Sequence, residues 1–262
     1  LVESWGAVSS SLMIWDYVIN FKHLLLPYPN YDVQADNHVL YLENNVRAVF
    51  HQGSREHDNE MARLRSYILS RQLWDNDTDV SAVLAKYVTV TYGDAAPYVA
   101  EYLDTMNREL KEHAENLDLY DAPESHSRDY LSRANIRQYE ELINSAIAAV
   151  DDSRIIGYLE EIKLNVLYAI MYEPDLNYLR KKSAFEQFSA LAVAQEIERH
   201  TEVGIEMPEF LAEESPAYLR SVALKLSAAC IVPPLVVGLG VGGFLLAKKK
   251  GLRLPRRKKK GS

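Results

Sequence analysis

The chain has 262 residues, of which 48% are hydrophobic and 25% charged, so it can bury a sizeable core and is not a wholly disordered protein. The formal net charge is −8, but nine of the 29 basic residues lie after residue 247, which leaves residues 1–247 with 37 acidic and 20 basic groups and a net charge of −17. Such an acidic body argues against nucleic acid as a partner, because nucleic-acid binding depends on the neutralisation of phosphates.

The first predicted element is a buried parallel strand whose carboxyl end carries Trp15, Asp16 and Tyr17. Asn20 and His23 follow in the next loop. Pockets of α/β folds form at the carboxyl ends of parallel strands, and a sugar site needs aromatic faces together with amides and carboxylates. We therefore predict that Asp16 is a catalytic carboxylate and that the other four residues bind the substrate. The alternatives are that Asp16 caps a loop or pairs with a neighbouring lysine, that Trp15 and Tyr17 belong to the core of the barrel, and that His23 is structural.

A second strand is predicted over residues 46–50, after a helical stretch around residues 37–44. His51 and Gln52 follow this strand directly, so both are predicted to bind substrate in the same pocket, although His51 could instead be structural. Apolar residues at helical spacing predict a further helix over residues 61–73. Strand, loop and helix thus occur twice in succession, which is the βα repeat of a parallel sheet or barrel.

After this repeat the alternation stops, and amphipathic helices separated by a polar linker are predicted. The helices lie at residues 79–92, 95–114, 127–150, 153–172 and 177–200, and the linker at residues 115–127. Their apolar stripes are interpreted as core, so no cofactor is expected. The histidine and acidic residues do not show the spacing of metal ligands, and no metal site is predicted.

The C-terminal segment of residues 226–247 carries no charge and is long enough to span a bilayer as a helix. The basic tail of residues 248–262 predicts that the tail is cytoplasmic and the body extracellular, with residues 201–225 as a stalk. The alternatives are a buried core helix and a phosphate-binding loop at residues 238–243, which lacks the acidic residues of a dinucleotide site. Cys230, the only cysteine, lies here, so no disulfide within the chain is possible.

Several separated motifs recur together over about residues 1–105. They are Ile14–Tyr17, Pro27–Asn30, Val46–Gly53, Leu64–Trp74 and Tyr92–Gly93. Together they resemble the family of domain of unknown function 4838 (DUF4838), which is related to α-glucuronidase-like glycoside hydrolases. The resemblance implies a (β/α)8 barrel followed by a helical region, with plant or host glycans as substrates.

The resemblance also implies an acidic residue after the second strand, where this chain has His51. Hydrolysis of a glycosidic bond usually needs two carboxyl groups, of which Asp16 supplies one. Because the chain begins with Leu1 close to a strand, we expect a fragment whose missing N-terminal part holds the second carboxyl group. If that group is absent, catalysis is lost.

The predicted fold class is α/β followed by all-α, comprising the last βα units of a (β/α)8 TIM-like barrel, a helical region and one transmembrane helix. The predicted parts are residues 1–78, 79–200, 201–225, 226–247 and 248–262. The predicted function is that of a membrane-anchored, cell-surface glycoside-hydrolase-like protein that acts on or binds polysaccharide or oligosaccharide. A non-catalytic carbohydrate-binding protein and a helical protein-interaction scaffold are the alternatives.

Overall fold

A computed structural model describes residues 1–53, 60–113, 116–204 and 206–215. The chain divides into Leu1–Ala212 and a second unit, Glu213–Ser262, of which only the first three residues are described. The elements, in chain order, are α1 (Val2–Gly6), β1 (Leu12–Tyr17), α2 (Tyr31–Glu43), β2 (Val46–Gln52), α3 (Ala62–Trp74), α4 (Val80–Tyr92), α5 (Ala96–His113), α6 (Arg133–Ala148), α7 (Ser153–Tyr172), α8 (Tyr178–Ala194) and α9 (Met207–Glu213).

Strands β1 and β2 pair in parallel and form a two-stranded sheet. The register places Asp16 opposite His51 and Trp15 opposite Phe50. One face of β1 is partly covered, while every second side chain, including Met13 and Trp15, is exposed. The prediction of two strands at these positions is confirmed, but the prediction that β1 is a buried strand is wrong.

The helices begin where the sequence offers capping side chains. A carboxylate or hydroxyl of Asp79, Ser132 or Asp152 accepts a hydrogen bond from a backbone N–H in the first turn of α4, α6 or α7, respectively. Helix α8 ends at Ala194, earlier than predicted, because Glu196 adopts a left-handed conformation with φ of +55° that stops the helix.

Helices α5 to α8 pack in sequence order around large aromatic side chains. The rings of Tyr102 and Tyr139 meet edge to face with centroids 5.2 Å apart, and Phe188 is buried against Tyr168. The predicted apolar stripes of these helices are therefore the core, as the sequence indicated.

The predicted barrel remnant is wrong. The part of the chain that the structure describes is mostly helical and contains only the two strands β1 and β2, so the strand–loop–helix alternation does not build consecutive units of a barrel wall. The physical reason is that, within the described ranges, the two strands pair only with each other, while the helices pack around one core that also includes Leu25, Leu64 and Ile68.

No helix in the described ranges is long and apolar enough to cross a membrane, so the transmembrane helix of the predicted fold class is not observed. The segment predicted to form it, residues 226–247, lies outside the described residues, as does the basic tail of residues 248–262. The predicted extracellular body and cytoplasmic tail depend entirely on that segment.

Candidate functional site

The covered face of the sheet contains a hydrogen-bonded chain of three side chains, Asp16, His51 and His38. Parallel pairing sets Asp16 beside His51, with Oδ2 of the carboxylate 3.1 Å from Nδ1 of the imidazole. Nε2 of His51 in turn lies 2.8 Å from Nε2 of His38 on α2. Two of the predicted site residues, Asp16 near the end of β1 and His51 near the end of β2, are therefore in contact.

The carboxylate of Asp16 sets the proton positions along this chain. It accepts a hydrogen bond from Nδ1–H of His51, which leaves Nε2 of His51 free to accept from His38. Burial lowers the pKa of His38, and the neighbouring His51 lowers it further. Burial also raises the pKa of Tyr41 to about 12, with help from the negative charge of Asp16 and a hydrogen bond to it. In this hydrogen-bonded group the carboxylate of Asp16 therefore orients the imidazole rings of His51 and His38.

Sequence reasoning missed His38 and Tyr41. Both lie on the face of α2 that turns toward the sheet and line an open groove of about 600 Å³ beside β2 and α3. Arg47 and Gln72 are among the other lining residues. The only available signal was the three-residue spacing of a histidine and a tyrosine on one predicted helix, which is equally typical of ordinary core packing.

The other face of the sheet is an exposed aromatic surface. Trp15 and Tyr17 are 60% and 43% exposed, and Phe50 on β2 is 47% exposed. The Trp15 and Phe50 rings meet edge to face with centroids 5.0 Å apart. We call Trp15, Tyr17, Phe50 and Gln52 the aromatic face.

Polar groups orient the side chains of the aromatic face. Nε1–H of Trp15 donates a hydrogen bond to Oε1 of Gln52. The amide nitrogen of Gln52 donates in turn to Oε1 of Glu202, at 3.0 Å. An amide and a carboxylate therefore lie beside the exposed rings, and Glu202 is a further residue that the sequence did not single out.

The predicted single pocket is divided between the two faces of the sheet. Successive side chains of a strand point to opposite faces, so Trp15 and Tyr17 cannot share a pocket with Asp16, which lies between them. Gln52 is separated from His51 for the same reason. The structure thus joins Asp16 with His51 and, independently, Trp15 with Gln52.

Asn20 and His23 contact neither the Asp16 chain nor the rings of Trp15 and Phe50. Asn20 is buried, its Oδ1 accepts from the backbone N–H groups of Lys22 and His23, and its Nδ2 donates to the carbonyl of Asp121. Nδ1 of His23 lies 2.7 Å from the hydroxyl of Tyr168. Asn20 therefore shapes the turn after β1, and His23 packs against the helical core.

The family model described as domain of unknown function (DUF4838) matches residues 1–104. This part of the chain belongs to the DUF4838 family. The comparison with curated proteins found no match, and neither did the comparison with solved structures.

The DUF4838 part contains both faces of the sheet and every predicted site residue, and the predicted family is confirmed. The match leaves the relationship to α-glucuronidases a prediction. Residues beyond the DUF4838 part hydrogen-bond to two of the predicted site residues: Glu202 contacts Gln52, and Tyr168 contacts His23. Across the residues that the structure describes, no group of three or more histidine, cysteine or acidic side chains is placed to hold a metal ion.

Acid is expected to destabilise the contact between the DUF4838 part and His200, whose carbonyl accepts a hydrogen bond from the backbone N–H of Leu24. Burial lowers the pKa of both His23 and His200 to about 4, and the His200 ring stacks on Phe210 at 3.9 Å between centroids. Between pH 6.5 and 4 the unfolded chain binds protons at these residues that the folded chain does not, so stability falls as pH falls through this window.

The variant His200→Phe removes one of the two imidazoles that bind a proton in the unfolded chain but not in the folded chain at this pH. We expect its free energy of unfolding, measured by urea titration, to decline less than that of the wild type between pH 7 and pH 4.5. Parallel pH profiles for the two proteins would contradict the assignment of His200 as a buried neutral imidazole. His113→Phe is the control, because His113 is exposed on α5.

Proposed function

We propose that the aromatic face of the DUF4838 part binds carbohydrate. The observation that carries the proposal is the exposure of Trp15, Tyr17 and Phe50 on one face of a two-stranded sheet. Large rings are normally buried, and an exposed group of them is typical of a binding surface.

The chemistry of the aromatic face suits a sugar. The faces of Trp15 and Tyr17 offer apolar area to the C–H groups of a pyranose, while the amide of Gln52 and the carboxylate of Glu202 can exchange hydrogen bonds with its hydroxyls. Because Gln52 already bonds to both Trp15 and Glu202, the rings and the polar groups are held in place before a ligand arrives.

Binding without hydrolysis is the form of the proposal that the geometry supports best. Glycoside hydrolysis uses two carboxyl groups on either side of the scissile bond. Asp16 points to the covered face, opposite to Trp15, and its carboxylate is occupied by His51. A sugar lying on the aromatic face would therefore be out of reach of the predicted catalytic carboxylate.

The variant Trp15→Ala tests the proposal directly. We expect oligosaccharide affinity, measured by calorimetry on a panel of neutral and acidic glycans, to fall by about tenfold or more, since an aromatic contact of this kind contributes roughly 1–3 kcal/mol. Gln52→Ala should have a smaller effect in the same direction. Trp74→Ala is the matched control, because Trp74 is 87% exposed but lies at the end of α3.

Two results would contradict the proposal. Equal losses of affinity in Trp15→Ala and Trp74→Ala would show that any exposed tryptophan produces the signal. Release of reducing sugar by the wild type, abolished in Asp16→Asn, would show hydrolysis in place of binding alone.

A further inference from the structure

A second surface groove, remote in sequence from the aromatic face, is lined by three arginines. The groove has a volume of about 540 Å³ and is lined by residues from the amino-terminal half of α6, the end of α7 and the start of α8. Arg133 and Arg137 enter it from α6, and Arg180 enters it from α8. Glu140 and Asn177 also line it.

Two of these three cations form no ion pair with any residue that the structure describes. Arg133 and Arg137 lie one helical turn apart and are exposed, and in the described part of the chain neither forms an ion pair. Arg180 bonds to Glu140, which is the acidic residue of the groove. A cluster with a surplus of positive charge is unexpected in a chain whose first 247 residues carry a net charge of −17.

The position of the arginines on their helices also opposes helix stability. Arg133 is the first residue of α6 and Arg180 the third residue of α8, and neither helix has an acidic residue in its first turn. The amino end of a helix carries a partial positive charge that favours anions and disfavours cations. A bound anion would turn both unfavourable contacts into favourable ones.

We infer that this groove binds an oxyanion of the phosphate or sulfate type, either free or as an ester on a larger ligand. Arg133 and Arg137 present planar guanidinium groups that can each donate two hydrogen bonds to such a group. Arg180, which donates a hydrogen bond to Glu140, completes the site by also donating to the anion. The inference does not depend on carbohydrate binding at the aromatic face.

The test is calorimetry on the full chain at low ionic strength with four probes, namely inorganic phosphate, inorganic sulfate, a sugar phosphate and a sulfated disaccharide. We expect saturable binding of at least one probe, weakened about tenfold or more in the variant Arg133→Gln/Arg137→Gln, because charge-assisted hydrogen bonds are lost. Tighter binding of the esters than of the free ions would assign the site to an esterified ligand, and equal binding would assign it to the free anion.

Matched controls separate this site from a general effect of charge. Arg154→Gln removes an arginine from the first turn of α7, where Asp152 already pairs with it, and should leave binding unchanged. Glu140→Gln should strengthen binding because it frees Arg180, whereas Glu141→Gln, with the same change in charge, should not.

The inference would be overturned if none of the four probes bound saturably, or if Arg154→Gln weakened binding as much as Arg133→Gln/Arg137→Gln. It would also be overturned if Glu140→Gln and Glu141→Gln had the same effect. Glycan binding at the aromatic face is measured with Trp15→Ala and a different ligand panel, so the two proposals fail separately.

Discussion

Replacing Arg65 with methionine is expected to lower the free energy of unfolding by about 3–5 kcal/mol at pH 8.5, because it leaves the buried carboxylate of Glu60 without a counter-charge. Nη2 of Arg65 lies 2.6 Å from Oε2 of Glu60 and also donates to the carbonyl of Tyr28. Nη1 donates to Oδ1 of Asn30. This network ties the loop after β1 to α3, so it supports the whole DUF4838 part.

The loss should depend on pH. Burial raises the pKa of Glu60 from 4.5 to about 7, and the positive charge of Arg65 keeps this pKa from being higher still. A carboxyl group whose pKa is raised in the folded state keeps its proton longer than in the unfolded chain, so stability declines as pH rises from about 4.5 through 7. Without Arg65 the pKa of Glu60 rises more, and the decline continues to higher pH.

Urea titration at pH 5.5 and pH 8.5 measures both effects. At pH 5.5 the protonated carboxyl needs no counter-charge, so Arg65→Met should destabilise less than at pH 8.5. The double variant Arg65→Met/Glu60→Gln should recover most of the stability lost at pH 8.5, since it removes both buried charges. A loss that was equal at the two pH values and undiminished in the double variant would contradict the electrostatic explanation.

The second large effect is expected at His126, whose ring lies between two carboxylates. Nδ1 lies 3.0 Å from Oδ2 of Asp129, and Nε2 lies 3.0 Å from Oδ2 of Asp121. The ring of His126 is buried and both acids are partly buried, so His126→Ala removes the hydrogen-bond partner that the two acids share, and we expect a loss of about 3 kcal/mol in the free energy of unfolding at pH 7.

The loss should extend to the loop after β1, because the carbonyl of Asp121 accepts a hydrogen bond from Asn20. Hydrogen exchange of the Lys22 and His23 amides, which donate to Asn20, should therefore accelerate in His126→Ala. His113→Ala is the control, since His113 is exposed and its pairing with Glu109 at 3.8 Å should contribute less than about 1 kcal/mol. Similar losses in the two variants would contradict a special role for His126.

Both strands and most of the helices could be predicted from the sequence because their signals are local, but the short helices α1 and α9 and the first two turns of α2 were missed. Short apolar runs mark the strands and a period of 3.6 residues marks the helices, and the side chains of Asp79, Ser132 and Asp152 cap helices as short-range preferences require. The family of residues 1–104 was also predicted from motifs that each span a few neighbouring residues.

The barrel could not be excluded in the same way. A βα repeat is a local pattern, whereas a barrel requires each strand to pair with two neighbours, and β1 and β2 pair only with each other in the described residues. That the predicted site is divided between the two faces of the sheet could have been predicted from the sequence. Successive side chains of a strand point to opposite faces, which separates Asp16 from Trp15, whereas the prediction placed both residues in one pocket.

Local sequence patterns were sufficient to predict most of the helices, both strands, the family of residues 1–104, and the nearness of Asp16 to His51 at the ends of adjacent strands. The hydrogen-bond partners of two site residues, His38 for His51 and Glu202 for Gln52, are evident from the tertiary structure alone. The physical reason is the range of the interactions. Periodicity and capping act within a few residues, while exposure and side-chain contacts depend on which distant segments pack together.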